Sequence, residues 1–155
     1  MEEQEENKDN NRPNWAWQVN WKSNLVEDES APQFYSQMVI YVFSIVFCVL
    51  FGAIMLVANI SKTEQKKGVL EIILFGIMFT VTQVLILSSI QINAGVTLIF
   101  NFIGGQILNI YFWNKYIGRD TKYMARSYAG PLIIGIVLSV VAVLGFVYGN
   151  PALMQ

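Results

Sequence analysis

Long apolar runs and short polar connections alternate along most of this chain. Four runs of 20 to 23 residues contain almost no charged side chains, and they cover 38–60, 69–90, 95–114 and 130–149. A membrane-spanning helix needs about 20 mostly apolar residues, and none of the runs alternates as the strands of a membrane barrel do. The pattern predicts an all-α integral membrane protein, in which residues 38–149 form a four-helix transmembrane bundle.

Both ends of the chain are polar. Residues 1–37 carry eight acidic and three basic side chains, and residues 150–155 form a short C-terminal tail. An acidic, Asn-rich start is typical of a disordered or extended segment, and it differs from the basic start and early apolar run of a cleaved signal peptide. We expect residues 1–37 to be an extramembrane tail, followed by spans that are retained.

The basic side chains of the body indicate its orientation. All seven lie in the connections 61–68 and 115–129, whereas the link 91–94 and the C-terminal tail contain none. Basic connections stay on the cytoplasmic side of a membrane. The predicted location is therefore the cell's inner or plasma membrane, with both termini outside.

A tryptophan-rich segment interrupts the polar tail. Apolar side chains at alternate positions share one face of an extended strand, and here they are Trp15, Trp17, Val19 and Trp21. Such a strand can add to the edge of a partner's sheet, with the tryptophans filling pockets. Tryptophan is also favoured at a membrane surface, so the segment binds either a protein partner or the outer leaflet.

Amide side chains interrupt the second and third apolar runs. They are Gln83, Asn101, Gln106 and Asn109. An amide within a bilayer is costly unless it is bonded, so these side chains either pair between helices or face a water-filled path. The second arrangement would favour an oligomeric channel or a small-solute transporter that uses the Gln83/Asn101/Asn109 face.

The second basic connection has a helical spacing. Lys115, Arg119, Lys122 and Arg126 are separated by four, three and four residues, so on a helix they would form one stripe. A stripe of this kind could bind anionic lipid, or the charges could only fix the orientation of the chain. Four bases are a small footprint for nucleic acid, and we expect none to bind.

Few side chains in this chain suit catalysis. It contains no His and a single Cys, Cys48, inside an apolar run, which removes the usual general base and the His-containing zinc sites. Glu71 is the one charged residue within the four apolar runs, and it follows Lys67 at the i,i+4 spacing of an ion pair. We expect neither an enzyme nor a cofactor or metal site.

Three features carry a family resemblance: Phe51-Gly52-Ala53 through Asn59, the Lys-rich link that follows, and a glycine-bearing third run ending in Tyr-Phe-Trp-Asn-Lys-Tyr-Ile-Gly. In these features residues 38–130 resemble small bacterial multi-pass membrane proteins of no assigned function. The resemblance implies a multi-pass fold and transfers no site residue. The expected function is that of a small integral membrane accessory or scaffold protein. It would bind membrane or envelope proteins, or further copies of itself, through its bundle face and its tryptophan segment.

Overall fold

The computed structural model describes residues 24–89 and 94–149, which are mostly helical. The elements, in chain order, are β1 (Gln33–Phe34), α1 (Gln37–Val46), α2 (Val49–Ile60), α3 (Lys67–Ser89), α4 (Ala94–Ile107), a π-helical segment (Leu108–Trp113), α5 (Asn114–Tyr116), β2 (Met124–Ala125) and α6 (Ala129–Gly149). The π-helical segment joins α4 to α5 without a break, so Gly95–Tyr116 forms one continuous helix.

The first apolar run folds back on itself. Helix α1 ends at Val46 and α2 begins at Val49, and the far ends of the two helices meet. The Asn59 side chain accepts a hydrogen bond from the Tyr35 N–H at 2.8 Å and donates one to the Tyr35 carbonyl at 2.9 Å. In a single helix these two residues would lie about 36 Å apart. The expectation of one helix over 38–60 is therefore wrong, because the run forms an antiparallel helical hairpin.

The hairpin turns at Phe47 and Cys48. The Phe47 N–H still donates to the Phe43 carbonyl at 3.0 Å, as in a regular helix. Cys48 then adopts an extended conformation (φ −174°, ψ 163°), and its carbonyl accepts the Phe51 N–H at 3.1 Å to begin α2. Neither proline nor glycine stands at the turn, so the apolar pattern of the sequence runs through it unchanged.

Small residues bring the two hairpin helices into contact. A β-carbon added at Gly52 would lie only 1.8 Å from Ser44 Oγ and 3.1 Å from the Ile40 carbonyl oxygen. The spacing of Ser44, Cys48 and Gly52 would place all three on one face of a single helix. In the hairpin, Ser44 and Gly52 instead face each other across the helix–helix contact.

Helices α3 and α4 pack against the hairpin. Helix α2 lies against α3, where a β-carbon added at Gly76 would lie 2.9 Å from Ala53 Cβ. Helix α1 lies against α4, where a β-carbon added at Gly105 would lie 3.0 Å from the Tyr41 ring. Glycines at both contacts allow the helices to approach each other closely.

Two helices of the described chain are long and apolar enough to cross a membrane: Lys67–Ser89 and Gly95–Tyr116. They agree in position with the predicted spans 69–90 and 95–114. Helix α6 covers the predicted span 130–149, although the apolar stretch described within it is shorter than the other two. A helical fold is thus established, whereas four continuous spans are not.

Helix α6 stands apart from the other helices. A β-carbon added at Gly135 would lie 2.6 Å from the Phe47 ring, and Leu132 packs against the edge of the core. Beyond these first turns, every residue from 136 to 145 is exposed, and the large apolar side chains among them are 48% to 61% exposed. Within the described chain, α6 is therefore not packed as a member of a four-helix bundle.

The N-terminal part of the described chain lies beside the second basic connection. Strand β1 pairs in parallel with β2, with Gln33 opposite Met124 and Phe34 opposite Ala125. Because the first apolar run turns back, it returns the chain to the end of the molecule from which it started. The prediction that the tail lies on the side opposite the basic connections does not hold for residues 24–35.

Three buried aromatic rings lie beneath this strand pairing. The Phe34 and Trp113 centroids are 6.4 Å apart, and the Tyr123 centroid lies 5.4 Å from that of Trp113. The chain turns toward Tyr123 at Gly118, whose positive φ of 98° suits a residue without a side chain. Its N–H donates to the Trp113 carbonyl at 3.1 Å and closes the end of α5.

Candidate functional site: buried amides at the hairpin tip

The end of α1 needs hydrogen-bond partners from outside the helix. The last turn of a helix leaves its carbonyl groups without intrahelical donors. Asn101, on α4, supplies one such donor, because its Nδ2 lies 3.1 Å from the Ile45 carbonyl oxygen. Asn101 is only 4% exposed. A buried amide from a neighbouring helix therefore caps the tip of the hairpin.

A second amide extends this cap to α3. Gln83 Nε2 donates to Asn101 Oδ1 at 3.1 Å and lies 3.5 Å from the Thr97 carbonyl oxygen. Gln83 is 6% exposed, so both amides are removed from solvent and bonded to each other. Hydrogen bonds thus run from α3 through α4 to the end of α1.

The other two predicted amides lie further along the same helix. Gln106 Nε2 donates to the Tyr41 hydroxyl at 2.9 Å and bonds α4 to α1. Asn109 Nδ2 instead donates to the Gly105 carbonyl of its own helix at 3.0 Å. The structure brings Gln83 and Asn101 into direct contact, whereas Gln106 and Asn109 form separate hydrogen bonds.

The π-helical segment contains two buried polar atoms that have no hydrogen-bond partner in the described chain. They are Asn109 Oδ1, an acceptor, and Trp113 Nε1, a donor. Segments of π-helix occur frequently at functional sites. In the π-helical segment, Asn109 Oδ1 can therefore still accept a hydrogen bond and Trp113 Nε1 can still donate one. This segment is separate from the amide cap at the hairpin tip.

Glu71 pairs with a different lysine from the one that its spacing suggested. Lys115 Nζ lies 2.8 Å from Glu71 Oε2, and the Tyr116 hydroxyl donates to the same oxygen. The expected i,i+4 partner, Lys67, makes no ion pair with Glu71 in the described chain. The contact joins the start of α3 to α5, and both charged side chains are about half exposed.

The four bases of the second connection do not share one helix. Lys115 belongs to α5 and pairs with Glu71. Arg119 and Lys122 are exposed in the non-helical stretch that follows, and Arg126 lies just after β2. The helical stripe does not form, because the helix ends at Tyr116 and the chain turns at Gly118 toward the strand pairing.

Two further residues are prominent in the structure but not in the sequence pattern. Asn59 closes the open end of the hairpin, and the Lys62 ammonium donates to the Gln33 carbonyl at 2.9 Å. An amide at the end of an apolar run was the available signal for Asn59, whereas the role of Lys62 depends on the hairpin. The predicted partner-binding residues Trp15, Trp17, Val19 and Trp21 lie outside the described residues.

The chemistry of the site is that of hydrogen bonding. Amide side chains donate and accept hydrogen bonds but carry no ionisable proton near neutral pH. Among residues 24–89 and 94–149, no three His, Cys, Asp or Glu side chains are grouped to hold a metal ion. Cys48 is a free, partly exposed thiol at the turn. The arrangement is suited to holding a helix end in place within an apolar surrounding.

No protein-family model, curated protein or solved structure matches this chain. Function resides in sites rather than in folds. The features that bear on the function of this chain are therefore the hairpin held by hydrogen bonds, the basic end of the molecule, and helix α6, which stands apart from the others.

Proposed function

We propose that the chain is embedded in a lipid bilayer by a re-entrant hairpin and three spans. Helix α3 is about 34 Å long at 1.5 Å per residue, enough to cross the hydrocarbon core, whereas α1 and α2, at about 15 and 18 Å, reach only half-way. Leu70, Met78 and Leu85 on α3 are all more than 60% exposed, as lipid-facing side chains would be. The α4–α5 helix and α6 are the second and third spans.

The bonded amides support this placement. Irregular backbone at membrane depth is tolerated only where it is buried in protein or lines a water-filled cavity. The turn at Phe47 and Cys48 would lie near the middle of the bilayer. There the Ile45 carbonyl is paired with Asn101 rather than left to hydrocarbon.

The orientation follows from the basic end of the molecule. Both basic connections and residues 24–35 lie at that end, which faces the cytoplasm under the positive-inside rule. The membrane is then the inner or plasma membrane.

Within that membrane, we infer that the protein is an accessory or scaffold protein, and α6 is the observation that carries this proposal. Residues 136–145 of this helix are all exposed, and their large apolar side chains are 48% to 61% exposed. Added β-carbons at Gly145 and Gly149 would meet no atom within 4 Å. Small residues four apart are typical of close helix–helix contacts in membranes. A helix of a partner membrane protein can pack along this face.

A photo-crosslinking amino acid tests this proposal. It is placed at Val141 on α6, and at Met78 on α3 as a matched control, because both side chains are apolar and at least 60% exposed. We expect a protein adduct of defined mass from position 141 and none from position 78, and the Gly145→Ile change should remove it. Lipid adducts alone at both positions would contradict the proposal.

The alternative function is that of a channel or transporter, and the break in the first apolar run between α1 and α2 favours it. Broken helices at mid-membrane form the binding sites of many transporters. Here, however, Gln83 and Asn101 are buried and bonded to each other, so a solute would have to displace those bonds. Solute or ion flux in liposomes that disappears on Asn101→Leu but persists on Gln106→Leu would favour this alternative over the scaffold.

A further inference from the structure

Two cationic residues are anchored to consecutive residues of one strand at the basic end. The Lys62 ammonium donates to the Gln33 carbonyl at 2.9 Å. The Arg126 backbone N–H donates to the next carbonyl, that of Phe34, at 2.8 Å. Strand β1 therefore holds both residues at fixed positions instead of leaving them on a free loop.

The Arg126 side chain lies on a rigid platform. Its guanidinium carbon is 4.8 Å from the centroid of the Tyr35 ring. Tyr35 is buried, and Asn59 bonds both its backbone N–H and its carbonyl. Stacking uses the face of the guanidinium and leaves the donors at its edge free to bind an anion.

The positive charges of Lys62 and Arg126 repel each other. Burial, and secondarily the charge of Arg126, lower the pKa of Lys62. In the described chain neither residue forms an ion pair, and the Glu71 carboxylate is taken by Lys115. When two like charges are held close together, an anion that binds to both offsets their repulsion and so lowers the free energy.

We propose that Lys62 and Arg126 bind the phosphate of an anionic phospholipid. Arginine can bind phosphate through two parallel hydrogen bonds, and lysine adds a compact charge. The pair lies where α1 begins and α2 ends, which is the headgroup level of the membrane placement proposed above. The inference rests on that placement and not on the partner of α6.

Retention of phosphatidylglycerol by the full chain in detergent, measured by native mass spectrometry against phosphatidylcholine, tests the site. The Lys62→Gln/Arg126→Gln variant is compared with Lys66→Gln/Lys67→Gln. The control loses the same charge from the connection 61–68, which also contains Lys62, but neither of its ammonium groups donates to β1 in the described chain. We expect the first variant to retain phosphatidylglycerol on the order of tenfold less than the native chain, and the control to stay close to native.

Equal losses in both variants would overturn the site, since they would indicate diffuse attraction to basic residues. Displacement of the retained lipid by inorganic phosphate would overturn the assignment to phospholipid. If the Arg126→Gln change prevents folding, the Lys62→Gln variant alone is used to test the site. The Lys62 contact with Gln33 lies at the surface, so we expect this variant to fold. Resistance of the native chain to carbonate extraction from membranes is measured separately and reports on membrane embedding alone.

Discussion

At the residue scale, Asn101 does the most to explain how an apolar run can turn back within the protein. Its amide nitrogen bonds the Ile45 carbonyl and its amide oxygen accepts from Gln83. A third helix thereby fixes the end of α1. The sequence indicated that buried amides have to be bonded, but the recipient of the Asn101 hydrogen bond could not be known before the hairpin was.

Replacing Asn101 with Leu should destabilise the protein by about 1–3 kcal/mol, because it removes the side-chain donor to the Ile45 carbonyl and the side-chain acceptor of the Gln83 amide. The measurement is the free energy of unfolding in detergent. Gln83→Leu in the Asn101→Leu background should add less than it does alone, since the two residues share a hydrogen bond. Strictly additive losses would show that the bond is absent.

Gly104 tests how closely α4 approaches the hairpin. A β-carbon there would lie 2.3 Å from Val49 Cγ2 and 2.9 Å from the Phe79 ring, so Gly104→Ala should cost about 1–3 kcal/mol through overpacking. Gly145→Ala is the matched control. It meets no atom within 4 Å and should stabilise the helix by up to about 1 kcal/mol. Equal thermal stabilities of the two variants would rule out the packing described here.

At the element scale, the hairpin is the feature that the sequence did not predict. Hydropathy counts apolar residues, and a run of 23 satisfies that count whether it forms one helix or two. The turn at Phe47 and Cys48 carries no helix breaker. The hairpin is instead held by the hydrogen bonds of Asn101 to Ile45 and of Asn59 to Tyr35, which join residues distant in sequence. Helices α3 and α4 were predictable because nothing interrupts them.

Asn59 should hold the open end of the hairpin together. Replacing it with Ala leaves the buried N–H and carbonyl of Tyr35 unpaired, at a cost of about 2–4 kcal/mol. Amide hydrogen exchange at Tyr35 should become faster, because the start of α1 is released from α2. Ser61→Ala is the control, since within the described residues its hydroxyl bonds the Val57 carbonyl of its own helix and does not contact Tyr35. Unchanged exchange at Tyr35 would exclude this role for Asn59.

At the scale of the whole molecule, the hairpin changes which segments meet. A single span over 38–60 would separate residues 24–35 from the basic connections by the thickness of a membrane. The hairpin brings them together, and β1 pairs with β2 as a result. The site formed by Lys62 and Arg126 at that end depends on this arrangement, and so do the exposed turns of α6.

Labelling of single cysteines with a membrane-impermeant reagent tests this arrangement most directly. The cysteines are placed at Ser30, Ser127 and Ser89, all exposed, in a Cys48→Ala background and in vesicles of known orientation. A re-entrant hairpin predicts that positions 30 and 127 are labelled from the same side and position 89 from the other. Labelling of position 30 from the same side as position 89 would contradict the hairpin and restore a first span that crosses the membrane.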